Sequence, residues 1–323
     1  MERWRAFLRV DPIPTLLASK DQELVARTRA ELLHGPLDPR QLWESKPASS
    51  LLSRQQKDGS WEYRSPRTVV PGLDNNDQAE TYRSLGFLVE MYCLDAGHGA
   101  IAKAAEFVLS HQTGEGDIRG IYGHQYTPNY TGGFLELLTD AGMGDDPRVR
   151  KGLDWLLSVR QQDGGWAIPI RTRGLRLDSD AMRGRPVPRD PSQPSSHLAT
   201  GMVLRAFAAH PDYRGREEVV AAARLLRSRL FRRDPYPDRG TPDYWERCSF
   251  PFWFTDIVSA LDTLTRLGSQ AMGPEVLDAL EWMRGRQAPQ GTLRLHLLRG
   301  AGMEVQDWVL FAVCRSLERA FRL

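Results

Sequence analysis

At 323 residues the chain is long enough for one large domain, and 41% hydrophobic with 26% charged residues is an ordinary globular balance. A net charge of +2, with no basic stripe interleaved with aromatics, excludes a nucleic-acid partner. Cys93, Cys248 and Cys314 are widely spaced and odd in number, so they read as free thiols of a reducing compartment.

The N-terminal MERWRAFLRVDPIPTLLASK carries charges among its apolar positions and lacks the long apolar region of a signal peptide. It reads as an arm over residues 1–19, with Pro12 and Pro14 inside it. No apolar run approaches the roughly 20 residues of a membrane span, so the expected location is cytoplasmic, with peripheral membrane contact allowed. A first helix is predicted over Lys20 to His34, ended by Gly35-Pro36. Five helix pairs follow. The first pairs Pro47 to Gln56 with a helix from about Asp77, where Asp77 and Glu80 have capping-box spacing; a polar loop over 64–76 joins them. The second pairs Ala100 to His111 with Pro128 to Ala141. The third pairs Pro147 to Gln161 with Ser196 to Ala209, across the long Arg-rich connection from Ala167 to Ser195. The fourth pairs Glu217 to Phe231 with Phe252 to Leu267, and the fifth Glu275 to Arg286 with Asp307 to Phe321.

A repeat underlies these pairs. The stretch KGLDWLLSVRQQDGGW, Lys151 to Trp166, closes a helix, turns through Asp163-Gly164-Gly165 and ends on a Trp. Leu51 to Trp61, LLSRQQKDGSW, has the same design, with Gln56 and Trp61 in the places of Gln161 and Trp166. Looser copies carry Gln112 and Gln287, at a period of roughly 50 residues that means stacked supersecondary units. The second helix of each pair is apolar on most sides, as in HLATGMVLRAFAA, and belongs in an inner layer; the first is amphipathic and belongs outside. Almost no segment alternates with period two, so the expected fold is all-α, a closed double ring of helix pairs in a single domain over residues 1–323, with a cavity inside.

Lys151-Gly152, Trp155-Leu156, Gln161, Gly164 and Trp166 resemble the QW repeat of squalene cyclases and related prenyltransferase-like proteins. PSQPSSHLATGMVLRAF, Pro191 to Phe207, is similar to the helix start that follows such a repeat in squalene–hopene cyclases. The resemblance implies an α/α toroid of the terpenoid cyclase and prenyltransferase type, in which the repeat Gln caps a neighbouring helix and the Trp stacks on it. It also implies a hydrophobic, isoprenoid-type small molecule as partner.

The repeat motif is structural and does not name a chemistry. Class II cyclases use a DxDD acid; this chain has only Asp178-Ser179-Asp180-Ala181, in an Arg-rich loop. Zinc prenyltransferases need Asp, Cys and His. Glu246-Arg247-Cys248 resembles part of that set, but Gln306-Asp307-Trp308 lacks the His, leaving His296 and His197 as substitutes. An ordinary buried thiol is the competing reading of Cys248, and no metal or cofactor is expected. Ionisation of a diphosphate would need an aspartate-rich metal motif, which the chain lacks. Three functions stand: an enzyme acting on an isoprenoid-type or other hydrophobic molecule, a non-catalytic binder that kept the toroid, and a carbohydrate-active toroid using paired carboxylates.

The candidate site comes from the inner-helix starts. If these share one end of the ring, Asp77, Tyr82, Asn129, Tyr130, His197, Trp253, Asp256, Asp307 and Trp308 would line one mouth above apolar walls. Asp77, Asp256 and Asp307 are the candidate acids, with burial beside aromatics raising the pKa of the last two. Tyr82, Asn129, Tyr130, His197, Trp253 and Trp308 are the candidate binding residues. Each position could instead be a simple cap or an outward-facing polar residue.

Overall fold

The computed structural model describes residues 3–63, 75–237, 240–298 and 303–322; most of the polar loop expected over 64–76, and positions 238–239 in the fourth pair's connection, lie outside them. The N-terminal segment holds α1 (Arg3–Phe7), α2 (Ile13–Leu17) and α3 (Gln22–Arg27). The central part holds α4 (Arg40–Trp43), α5 (Lys46–Leu52), α6 (Asn76–Gly86), α7 (Gly99–Ser110), α8 (Pro128–Leu138), α9 (Pro147–Ser158), α10 (Pro169–Thr172), α11 (Ser179–Arg183) and α12 (His197–Ala209). The C-terminal part holds α13 (Glu217–Ser228), α14 (Ile257–Leu267), α15 (Pro274–Gly285) and α16 (Met303–Arg322). Two strands of two residues each, β1 (Arg247–Cys248) and β2 (His296–Leu297), pair in parallel. Contacts group the chain into two compact units: residues 39–222, and residues 1–38 with 223–323. The expected arm is helical and packed in the second of these, with Trp4, Leu8, Ile13 and Leu16 buried.

The difference between outer and inner helices follows from their sequences. In α7 the buried positions are Ile101, Ala104, Ala105, Val108 and Leu109, one stripe at helical spacing. In α8 every residue from Pro128 to Leu138 is buried, and in α12 every residue from His197 to Ala208. A helix apolar all round has no face to give to water, so it must be surrounded. In α14 only Arg266 escapes burial, and that helix begins at Ile257, not at Phe252. A proline in the first turn and an Asp or Ser before it set two starts: Asp146 caps α9 ahead of Pro147, and Ser45 caps α5 ahead of Pro47; Ser196 caps α12 without a proline. At α6 the cap is Asn75, not the expected Asp77–Glu80 box; Glu80 pairs with Arg83.

The repeat is a hydrogen-bonded joint. Trp61 and Trp166 are buried, and each indole N–H donates to a carbonyl ten residues earlier in the outer helix, Leu51 and Leu156. The backbone N–H of Trp61, Ile118 and Trp166 donates to the hydroxyls of Thr81, Thr131 and Thr200 on the inner helix that follows. Gln112 Nε2 donates to its own loop at the Gly116 carbonyl and to the Arg148 carbonyl in the first turn of α9. In the first copy Gln55 does this, bonding Gly59 and Ala100, and the exposed Gln56 does not. Gln287 bonds Gly291 and both backbone groups of Val10, so the N-terminal segment takes the place of a next outer helix. Gly59 and Gly116, both at positive φ, let the turn touch that next helix; a Cβ there would lie 2.3 and 2.7 Å from the Lys103 and Lys151 carbonyl oxygens.

The third copy departs from this plan. The Gln161 N–H bonds the Gly165 carbonyl as the Gln56 N–H bonds Ser60, so Gln161 occupies the register of Gln56, one place after the working Gln of the other copies. Its side chain turns to the connection before α12, donating to the Asp190 and Gln193 carbonyls at 2.6 and 2.9 Å. Gln161 and Gln56 therefore match in sequence and backbone but differ in task.

Two stability outcomes follow. Gln55→Ala should cost about 1–2 kcal/mol and Gln56→Ala less than about 0.5 kcal/mol in urea unfolding; equal costs would contradict the assignment of the joint to Gln55. Trp166→Ala should cost about 3–5 kcal/mol, and a loss of ligand binding without loss of stability would argue that the indole is not structural.

Candidate binding site at the inner-helix starts

In the unit of residues 39–222 the structure brings together Tyr82 and Tyr130. Their rings meet edge to face at 5.7 Å; Tyr82 also meets Phe134 at 5.3 Å, and Tyr130 meets Tyr122 at 5.4 Å. Edge-to-face contact satisfies the ring quadrupoles and makes a continuous aromatic wall from a half-buried to a fully buried position. Glycine makes room for it: a Cβ on Gly133 would lie 2.7 Å from the Tyr82 hydroxyl. On the same helix, a Cβ on Gly132 would lie 2.8 Å from the Val203 Cα of α12, so α8 and α12 approach nearly backbone to backbone.

That close approach encloses an ion pair. Arg205 Nε donates to Glu136 Oε2 at 2.8 Å and Arg205 Nη2 to the Tyr82 hydroxyl at 3.1 Å, and both charged residues are 2% exposed. Burial alone would weaken the Arg205 charge, but Glu136, Tyr82 and Glu90 together outweigh it and raise the arginine pKa. Burial likewise pushes the Tyr82 phenol well up, so it stays protonated. A matching cluster lies in the other unit, where Asp262 on α14 accepts from Arg315 and Arg319 on α16. Burial favours protonated Asp262, but Arg319, Arg315 and Arg266 prevail and hold its pKa at about 2. Sequence reasoning missed Glu136, Arg205 and Asp262. Their signal was one charge inside each apolar inner helix, in LELL, VLRAF and ALDTL.

The remaining candidates divide between the units. Asn129 and His197 are buried in the first turns of α8 and α12. Neither amide atom of Asn129 has a hydrogen-bond partner among the described residues. Asp77 is exposed and accepts from the Tyr63 N–H at 2.8 Å. In the other unit, Asp256 is a helix cap: Oδ1 accepts from the Ser259 N–H at 2.9 Å, Oδ2 from the Ser249 N–H at 3.2 Å, and Ser259 completes a capping box. Trp253 stands before α14, half-buried, in the non-helical segment that joins Ser249 to Asp256. Asp307 lies one turn inside α16, which begins at Met303, and accepts from the Ser19 hydroxyl at 2.8 Å. Trp308 is core: it is 1% exposed, its indole N–H donates to Asp21, and its ring stacks on Phe250 at 5.6 Å.

The partial zinc resemblance at Cys248 has other work. Burial, with Asp256 nearby, pushes the Cys248 thiol well up, away from the thiolate a metal requires. Glu246 pairs with Arg286 at 3.0 Å, and in the β1–β2 ladder Cys248 stands opposite Leu297, with His296 opposite Arg247. Among the described residues no three His, Cys, Asp or Glu side chains are grouped to hold a metal, and no helix is long and apolar enough to cross a membrane.

Removing Arg205 should cost about 3–5 kcal/mol as Arg205→Met, because the buried Glu136 loses its guanidinium partner; the double variant Glu136→Leu with Arg205→Met should recover most of it. Urea unfolding reads both. Asp262 has a depressed pKa in the folded state, so its contribution is present above the ordinary carboxylate range and lost as pH falls through about 2. The stability gap between wild type and Asp262→Asn should therefore shrink by about 2 kcal/mol from about pH 5 to about pH 2; a gap independent of pH would contradict the ion cluster.

The sequence matches no family model, and no curated protein matches it. Solved structures do match. A variant of the type II terpene cyclase MstE from Scytonema, in complex with its substrate geranylgeranyl dihydroxybenzoate, aligns over 88% of this chain and 78% of its own, at 18% identity and a TM-score of 0.51. A second variant of that cyclase, in its apo form, gives 18% identity and a TM-score of 0.51 over 88% and 77% of the two chains. A polysaccharide lyase aligns at 13% identity and a TM-score of 0.49, over 88% of this chain and 85% of its own, too distant to bear on function. The likeness to the cyclase establishes the fold class, an all-α α/α toroid.

Proposed function

On that fold, we propose that the chain binds an isoprenoid-type hydrophobic molecule, held against the aromatic wall at the start of α8. The observation that carries the reading is the ring series Tyr122, Tyr130, Tyr82 and Phe134, which runs from a half-buried side chain into the apolar interior of α6, α8 and α12. Aromatic faces give an unsaturated chain large contact area at low conformational cost. The fold's likeness to a cyclase crystallised with a geranylgeranyl substrate supports the same ligand class. Asn129 supplies a polar group beside the wall, and His197 is a second one at the start of α12, which fits a pocket that is mostly apolar with few polar groups.

Binding is a better reading than proton-driven cyclisation. A carboxylic acid that protonates an alkene must be kept neutral by its surroundings. Among the described residues the buried acids are placed otherwise: Glu136, Asp262, Asp117 and Glu318 face arginines, Asp234 accepts from the Tyr236 N–H, and Asp256 accepts two backbone N–H groups. Asp77 and Asp307 each accept a hydrogen bond from elsewhere in their own unit.

Titration of purified protein with geranylgeraniol, followed by intrinsic fluorescence, should reveal saturable binding. Tyr130→Ala should weaken it about tenfold, since an edge-to-face neighbour and its buried area are lost, with secondary structure unchanged by circular dichroism. Failure to bind any isoprenoid, together with saturable binding of an oligosaccharide, would replace this reading with the carbohydrate one.

A further inference from the structure

The first turn of α8 differs from those of α6, α12 and α14. Asn75, Ser196 and Asp256 each cap the helix they precede with a side-chain oxygen. Thr127, in the same place before α8, makes no cap bond; its hydroxyl donates to the Ile118 carbonyl at 2.9 Å. Pro128 follows and has no N–H to offer. Then comes Asn129, fully buried, with neither Oδ1 nor Nδ2 hydrogen-bonded to any of the described residues. A buried amide without partners is costly, and a leucine of similar size would avoid the cost. Packing alone does not explain an asparagine here.

Resting on the isoprenoid reading above, we propose that Asn129 hydrogen-bonds the polar end of the bound isoprenoid, and that this end is a hydroxyl. The amide offers one acceptor, Oδ1, and a donor group, Nδ2. A hydroxyl both donates and accepts, so one group can serve either atom. A hydrocarbon end serves neither. A diphosphate is acceptor-only, carries charge into a position with a neutral partner, and would set its oxygens against Oδ1. The register suits this assignment. Tyr130, the next residue, begins the aromatic wall, and Gly133, one helical turn further, abuts the Tyr82 hydroxyl. The polar end would therefore lie at the first turn of α8 and the apolar chain along the rings. Asn129 is sealed from solvent, so access requires movement of a neighbour. Tyr122 sits on the tight turn formed by mutual backbone hydrogen bonds of Gly120 and Gly123, both at positive φ, and its ring closes on Tyr130. Opening that turn uncovers the start of the wall.

The test compares geranylgeraniol with geranylgeranyl methyl ether, which accepts but cannot donate. Wild type should bind the alcohol about tenfold more tightly than the ether. In Asn129→Leu that preference should fall to less than about twofold, with secondary structure unchanged by circular dichroism. Asn129→Ala serves if the leucine variant does not fold, and the comparison on wild type alone is decisive in one direction. Equal affinities of wild type for alcohol and ether would overturn the hydroxyl assignment and leave the isoprenoid reading standing. An undiminished preference in the Asn129 variants would remove Asn129 from it. If neither ligand binds wild type, the isoprenoid reading falls and this inference with it.

Discussion

The joint between a repeat's turn and the helices around it rests on one backbone amide. The N–H of Trp61, Ile118 or Trp166 points at a threonine hydroxyl on the following inner helix, and that hydroxyl returns a bond to a carbonyl near it. A turn that leaves an amide buried must find it an acceptor, and an inner helix has none free on its backbone. The threonine supplies it without breaking the helix. Once that bond is made, the indole of Trp61 or Trp166 reaches back ten residues to the outer helix, and the three elements move as one. The Gln joint is the second layer, extending the same turn to the next outer helix through Ala100 or Arg148.

Fully buried inner helices carry a cost that amphipathic helices do not. With no face in water, each charge on them must be matched inside. Glu136 meets Arg205, and Asp262 meets Arg315 and Arg319, in both cases between adjacent inner helices. Such pairs add little net stability over apolar packing, but breaking one leaves a charge with no solvent to relieve it. They therefore work as register pins: α8 and α12 can slide past each other only by separating Arg205 from Glu136. Gly132, one turn before Glu136, lets the backbones come close enough for the pin to engage. Gly133 beside it admits Tyr82, whose hydroxyl accepts from Arg205, so the aromatic wall and the ion pair are parts of one arrangement.

The sequence by itself determined the architecture. The spacing of Ile101, Ala104, Ala105, Val108 and Leu109 marked an outer helix, and the largely apolar runs of α8, α12 and α14 marked an inner layer, because hydrophobic periodicity is local and survives without knowledge of partners. The repeat of Gln, Gly and Trp marked the units and led to an α/α toroid. Tertiary structure decided which member of each pair does the work. The sequence aligned Gln56 with Gln161 as the repeat glutamine, and only the position of Ala100 gives the joint to Gln55 instead. It also sorted the candidate site. Asp256 became a cap because Ser249 and Ser259 came to it, and Trp308 became core because Asp21 and Phe250, distant in sequence, closed over it. Tyr82 and Tyr130 met because Gly133 gave them space. Periodicity reports how much of a residue is covered, whereas chemistry depends on which atoms do the covering, and in an all-α toroid those atoms come from helices dozens of residues away.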